Sequence, residues 1–561
     1  MRLPDSEGRR FKVVGTRPIR HDGLDKVTGR AVYGGDVKLP GLVQGAVLRS
    51  PMAHARIKRI NTSRASALAG VIAVITGSDI PVGGLESERV MARETVVFKG
   101  HPIAAVAAFD KNTALEAIKL VEVEYETLPT ILNVNEAMAD GAPLVHEGFV
   151  GNHLGEPVEG TNIATFIRHE LGDVDEGFAS AVTVVEREVS LATVHQGYIE
   201  PQTGTAMWSE NGFITVWTST QGAFGIREQM AHLMDLPESN VEVVPMEIGG
   251  GFGGKLNVYL EPIAALLSKK CGRPVKVYME RTSVFEATGP AAAATVKVKM
   301  GVDQQGRILA ATADLRYEAG AFPGAPIEAG AECCFAAYDI PNVKIDAYDV
   351  LVTKPKTQAY RAPGSTHVAF AVESVVDEIC EKLEVDRIEF RLNNASKVGG
   401  RQALGPKWGK IGISEVLQAV KGSPHWQSAI DQVNVNGRRR GRGVATGYWR
   451  NAGRRSVVEL HVSADGKISM IEGSVDIGGT RASIAMQVAE VLGVSAEDVQ
   501  PRVVSTNHIG YTDSTGGSRT TYATGTAAIK AAREIVTEMK RRAAMLWELD
   551  EALVEFSDGT F

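Results

Sequence analysis

Cysteine is nearly missing from this chain. The four in 561 residues, Cys271, Cys333, Cys334 and Cys380, form no CxxC pair. The adjacent Cys333-Cys334 cannot present two ligands at metal-site spacing, which excludes a zinc site, an iron–sulfur cluster and a disulfide scaffold on this chain. Positive charge is not in excess either. Sixty Lys and Arg against 67 Asp and Glu leave a net charge of −7, which argues against a nucleic-acid-binding surface. The basic cluster Arg438-Arg439-Arg440-Gly441-Arg442 reads as a solvated linker. No run of about 18 apolar residues occurs, so no membrane-spanning helix is expected. The N-terminal MRLPDSEGRRFKVVG lacks the apolar centre of a signal peptide. A cytoplasmic protein without nucleic-acid partners is the expectation.

Glycine, in contrast, is abundant: 59 residues scattered through the chain point to tight turns and close backbone approaches rather than disorder. Hydrophobic content of 44% and charged content of 23% are those of a soluble globular protein, and the length suffices for several domains. Three segments separate on pattern. Over about 20–140, short strands (Val43 to Leu48, Val71 to Thr76, Ile103 to Phe109) alternate with a helix from Thr113 to Leu120, as in a small α/β domain. The Gly/Pro-rich stretch from Gly141 to Thr161 reads as a linker. From about 165 to 430, strand–turn–strand signals are interrupted by helices at Ala223 to Met234, Glu261 to Lys270 and Val368 to Leu383. A third region has strands Val457 to Val462 and Ile468 to Glu472, a helix from Ser483 to Leu492 and another from Ala527. Glu551 to Glu555 reads as a strand entering a Ser557-Asp558-Gly559 turn without a returning arm, so the expected completion lies on another polypeptide or has been lost.

The stretch with most chemistry is Gly249-Gly250-Gly251-Phe252-Gly253-Gly254-Lys255, between a β-like run and a helix, where backbone N–H groups can reach a bulky anion. As a P-loop it ends in Leu256 where a magnesium-binding hydroxyl is required. As a dinucleotide fingerprint, Gly249-x-Gly251-x-x-Gly254 lacks the acidic residue that should follow about 20 residues on. A plain glycine turn is the remaining local alternative.

Phe252 within the glycines resembles the GGGFGGK motif of the xanthine dehydrogenase/aldehyde oxidase family, the molybdenum hydroxylases. Trp217-Thr218-Ser219-Thr220-Gln221-Gly222 is similar to that family's WTSTQ segment. Further matches are Lys99-Gly100-His101-Pro102, Gly172-Asp173-Val174, Ile199-Glu200-Pro201, Gln358-Ala359-Tyr360-Arg361-Ala362-Pro363-Gly364 with Phe370-Ala371-Val372-Glu373, and Gly516-Gly517-Ser518-Arg519-Thr520. They follow the family's order across almost the whole chain. The resemblance implies an α+β (mixed α/β) fold: a hammerhead-like domain over 1–145, a linker at 146–164, and two molybdopterin-binding domains over 165–430 and 431–561, the last incomplete. It implies molybdopterin, in the cytosine dinucleotide form, with molybdenum held by the pterin dithiolene rather than by a side chain. [2Fe–2S] clusters and FAD would sit on partner subunits.

By the same resemblance, Gln221, Gly250, Gly251, Phe252 and Gly253 contact the cofactor, the Phe252 backbone lying near the metal. Gly517, Ser518, Arg519 and Thr520 form a second cofactor loop, for which the alternative is a simple helix cap. Arg361 faces substrate as an oxyanion partner; its alternative is an ion pair with Glu373 or Asp377. Departures narrow the substrate. Leu256 replaces the glutamate of purine hydroxylases, Ala362 replaces the copper-binding cysteine of carbon monoxide dehydrogenase, and Val194 replaces a glutamine found in some members. Asp476-Ile477-Gly478-Gly479-Thr480 lacks the glutamine of the family's Asp-x-Gly-Gln-Gly segment. Leu256, Arg361 and Ala362 are the expected substrate-pocket residues, and the resemblance implies hydroxylation of an aldehyde or N-heteroaromatic carbon with oxygen from water. The Gly-x-Gly-Glu segment carrying the family's base glutamate does not occur. The alternative to a catalytic subunit is a cofactor-binding chain that needs a second molybdopterin-binding polypeptide for that glutamate.

Overall fold

In the computed structural model, Val71–Thr76, Ala223–Met234 and Ile468–Glu472 form where the hydrophobic pattern places them. The described residues are 11–430, 437 and 439–561, so Arg438 of the basic linker and residues 1–10 lie outside them. They fall into two units. Of the described residues, the first comprises 11–127, 196–288 and 450–561, and the second those within 128–195 and 289–449.

The first unit is built on a seven-stranded mixed sheet. Its strands run in the order Val241–Pro245, Ile214–Thr218, Thr203–Trp208, Val275–Tyr278, Val43–Arg49, Pro102–Ala108, Val71–Thr76. Helices Ala223–Met234 and Glu261–Cys271 bury apolar faces against it, with Ile226, Met230, Ile263 and Leu267 in one core with Val216, Val243 and Val275. Pro102–Ala108 is buried at every position, as suits a strand covered on both faces. A second layer has strands Val458–Val462, Ile468–Glu472 and Val499–Val503, whose core face is covered by helices Thr480–Leu492 and Thr520–Trp547. A small sheet of Thr95–Val96, Ala55–Asn61 and Glu122–Thr127 completes the unit.

The second unit carries another seven-stranded sheet, ordered Thr183–Leu191, Ala294–Val302, Ile308–Gly320, Asn342–Leu351, Ile163–Leu171, Val150–His153, Glu156–Glu159. Helices Ile327–Cys334 and Ser365–Lys382 pack on it.

Several expected elements change. The Gly/Pro-rich stretch 141–161 contains the last two strands of that sheet, a hairpin whose turn residues Leu154 and Gly155 have φ of 55° and 95°. Composition hides it because the two strands are only four residues each. The helix expected from Ala527 begins at Thr520. Glu551 to Glu555 is not a strand: Asp550 caps Ala552 N at 2.9 Å, giving a 3₁₀ turn at Glu551–Leu553. Val554 then joins a small core with Ala543, Ala544 and Phe561.

Candidate functional site

The glycine run is assembled by two side chains of its own unit. Glu200 carboxylate oxygens accept from Gly249 N at 2.7 Å, Ser219 Oγ at 2.6 Å and Lys255 Nζ at 2.7 Å. Gln221 Oε1 accepts from Gly253 N at 2.7 Å, and Gln221 Nε2 donates to Thr515 O at 3.0 Å. Glu200 ties the two ends of the run together, and Gln221 holds it at Gly253. They also dictate its glycines: a Cβ on Gly249 would lie 2.5 Å from Glu200 Cβ, one on Gly251 2.6 Å from Gln221 Oε1, and one on Gly254 2.8 Å from the Tyr198 ring. Their bareness is thus required by protein side chains, not by a ligand alone.

Lys255 is buried, and desolvation pushes its ammonium pKa down against the opposing pull of Glu200. Its charge is spent on Glu200, at 2.7 Å, and over the Tyr198 ring, 5.1 Å away. A P-loop lysine must instead reach phosphate, so the nucleotide-hydrolysis template fails on geometry as well as at Leu256.

The second loop lies in the same unit. Arg519, read from the sequence as a cofactor contact, has its side chain fully engaged elsewhere: its guanidinium donates to Gly453 O at 2.7 Å, Asp513 O at 2.8 Å and Arg455 O at 2.6 Å. It shapes the loop. Asp476 accepts from the amides of Gly478, Gly479, Thr480 and Arg481 at 2.6–3.3 Å and so caps the helix Thr480–Leu492. Burial pushes its pKa up, but these amides outweigh burial and the net shift is downward. Ser518 and Gly517 have φ of 56° and 63°, turning the chain into the helix that starts at Thr520.

Two buried hydroxyls here, Thr480 Oγ1 and Thr520 Oγ1, have no hydrogen-bond partner among the described residues. Each is the first residue of a long helix, where backbone N–H groups and the helix dipole favour an anion. Orphaned donors at two helix starts, in the unit that also holds a loop whose Gly250 and Gly251 amides donate to no described protein acceptor, fit a phosphate-bearing cofactor. Sequence reading named Thr520 as a contact but gave no role to Ser219 or Thr515, whose partners Glu200 and Gln221 are distant in sequence, or to Thr480, whose hydroxyl has no partner among the described residues.

Arg361 and Ala362 belong to the second unit, with φ of 29° and 60°. Left-handed backbone at two consecutive non-glycine residues costs energy, and such strain gathers at functional positions. Glu373 and Asp377, the carboxylates offered as ion-pair partners for Arg361, are taken by Arg391 at 2.7 Å and 3.2 Å. Leu256 follows the glycine run in the first unit.

Other matched motifs prove to be structural. Asp173 caps Val174–Ala179, and His101 is buried with Nε2 2.7 Å from Glu88 O. Both carboxylates near the glycine run, Glu200 and Glu247, are ion-paired. Glu200 is paired with Lys255, and Glu247 holds Arg481 at 2.7 Å and Lys26 at 3.2 Å.

Family models match the chain over three stretches. Residues 28–129 match the aldehyde oxidase and xanthine dehydrogenase a/b hammerhead domain, and 156–395 and 418–561 match molybdopterin cofactor-binding domains. The xanthine dehydrogenase molybdenum-binding subunit of Escherichia coli O157:H7 is 30% identical over 559 residues, covering 94% of this chain and 72% of that protein. The nicotinate dehydrogenase large molybdopterin subunit of Eubacterium barkeri is 30% identical over 423 residues, 74% of this chain and 97% of that protein. In fold, quinoline 2-oxidoreductase from Pseudomonas putida 86 superposes with a TM-score of 0.86 over 98% of this chain and 74% of that one, at 24% identity. Hammerhead and cofactor-domain matches in this order, with relatives aligned along almost the whole sequence, place the chain in the xanthine dehydrogenase/aldehyde oxidase family, as a molybdopterin-binding subunit of a molybdenum hydroxylase.

Proposed function

We propose that this chain binds molybdopterin cytosine dinucleotide and hydroxylates an aldehyde or N-heteroaromatic carbon, within a cytoplasmic hetero-oligomer whose other subunits carry [2Fe–2S] clusters and FAD. The hammerhead-like 1–145 and the cofactor domains at 165–430 and 431–561 are part of the same reading, with the stretch 146–164 carrying the hairpin Val150–His153 and Glu156–Glu159 rather than a plain linker. The observation that carries it is the pair of orphaned hydroxyls, Thr480 and Thr520, at two helix starts in the unit that holds the prebuilt glycine loop.

When bound, the cofactor supplies two-electron oxidation of the substrate carbon with oxygen taken from water. The residues of this chain orient it. Gln221 fixes Gly253, so that the amides of Gly250 and Gly251, next to Phe252, present a bare backbone to the pterin end. Thr480 and Thr520, with Gly517 and Ser518, receive the phosphate end, and Arg519 holds that loop from behind. Arg361 stabilises negative charge that develops on substrate oxygen, as an oxyanion donor does. Leu256 and Ala362, both apolar, disfavour purines, because a polar substrate is selected only by a paired partner.

The proton-abstracting carboxylate comes from outside this sequence. Glu200 and Glu247 are ion-paired with Lys255 and with Lys26 and Arg481, and neither stands in the Gly-x-Gly-Glu segment from which the family's base comes. The same observation supports a second reading, in which this chain holds the cofactor and a second molybdopterin-binding polypeptide supplies the glutamate. The test is to purify the chain with its iron–sulfur and FAD subunits, with and without a polypeptide bearing Gly-x-Gly-Glu. Molybdenum, pterin and CMP in equal amounts, with turnover of an aldehyde or a heteroaromatic, are expected when that glutamate is present. Bound molybdenum without turnover on either class would remove the hydroxylase assignment.

A further inference from the structure

Strand Ile468–Glu472 places alternate residues on its core face, and there Ile468 and Met470 enter the apolar cluster with Ile484, Val488, Ala528 and Ala532. The next residue on that face is Glu472. It is fully buried, and neither of its side-chain carboxyl oxygens has a hydrogen-bond partner. Its cross-strand neighbours, Val458 and Val503, are apolar, and the nearby hydroxyls of Ser474 and Thr524 are directed at each other, 2.7 Å apart. The charged groups acting on it are Asp476 of the following loop, which opposes its ionisation, and Arg481 of the helix Thr480–Leu492, which favours it. Arg481 is itself drawn to Glu247 at 2.7 Å, with Asp22 at 3.8 Å.

An ionised carboxylate without donors is not sustained in such a place, and two neighbouring carboxylates are not both charged. Asp476, which accepts four amides, is the one that stays ionised. We propose that Glu472 is a positioning residue for the loop 476–481: carried as the neutral acid, it leaves Asp476 the sole negative charge in that turn and so keeps the helix start and Thr480 in place. The inference rests on the reading above that this loop faces the cofactor.

Burial, with Asp476 beside it, raises the Glu472 pKa from 4.5 to about 8. The unfolded chain releases this proton near the ordinary value, whereas the folded chain holds it to about 8. Stability from this group is therefore fully present at low pH and is lost as pH rises through that window, by up to about tenfold in the folded-to-unfolded ratio per pH unit. Above it, a second charge beside Asp476 loosens the turn.

The experiment compares the holo-complex with E472Q. Infrared spectroscopy of the wild type should show a protonated carboxyl band that titrates near pH 8 and is missing from E472Q. The melting temperatures should coincide near pH 5, with the wild type falling below E472Q by pH 8.5. After dialysis at pH 9, the wild type should lose molybdenum and E472Q should keep it. A wild type without a titrating buried carboxyl, or parallel melting profiles, overturns the proposal. The expected band and melting profiles with equal molybdenum retention would instead break the link between this loop and the cofactor, and with it the reading of the site.

Discussion

The two glycine-bearing loops of the first unit are similar in composition and opposite in state. In 249–255 the amides of Gly249 and Gly253 are taken by Glu200 and Gln221, and the lysine is neutralised. Around 476–480 and 516–520, Thr480 Oγ1, Thr520 Oγ1 and both Glu472 oxygens have no partner. The first loop is clamped by the protein before any ligand arrives, with the Gly250 and Gly251 amides left open among the described residues, which preorganises its bare backbone without further ordering cost. The second keeps hydrogen-bonding capacity in reserve, and a buried polar atom is kept unpaired at a cost of about 1–3 kcal/mol only where something else offsets it. Glycine content alone does not tell the two apart.

Breaking the finished loop should therefore cost stability, whereas trimming the open one should cost ligand. The largest effect is expected from Lys255→Met, which leaves the largely buried Glu200 carboxylate without its cation. About 3–5 kcal/mol of unfolding free energy should be lost in denaturant titration, and Glu200→Gln in the same chain should restore part of it. Arg519→Lys follows. A lysine cannot fork to the carbonyls of Gly453, Asp513 and Arg455, so a loss of about 1–3 kcal/mol is expected by the same measurement. Gly251→Ala should cost about 1–3 kcal/mol, because its Cβ would sit 2.6 Å from Gln221 Oε1. If Gly251→Ala is silent, the clamp is loose and the contrast between the loops disappears.

The sequence made much of this legible. Helix Ala223–Met234 and strand Val71–Thr76 have clean periodicity, and the motif order identified the family. What stayed hidden depends on pairing across the chain. Lys255 looks like a phosphate ligand until Glu200, 55 residues away, neutralises it. Arg519 looks like a cofactor contact until its guanidinium is seen on backbone carbonyls, which no side-chain pattern encodes. Glu472 could have been found, because an acidic residue at the third core position after Ile468 and Met470 breaks a period-two apolar face.

The smallest expected effect on stability carries the most weight. Replacing Thr480 and Thr520 together by Val removes two hydroxyls that pair with nothing in the protein. Stability of the cofactor-free chain should change by no more than about 0.5 kcal/mol per site. The most direct test is the molybdenum and pterin content of the double variant, purified in its complex and compared with wild type. The expected result is an unchanged melting temperature for the cofactor-free chain, with a cofactor content reduced at least tenfold. Full molybdenum loading in the double variant would contradict the assignment of these hydroxyls to the cofactor.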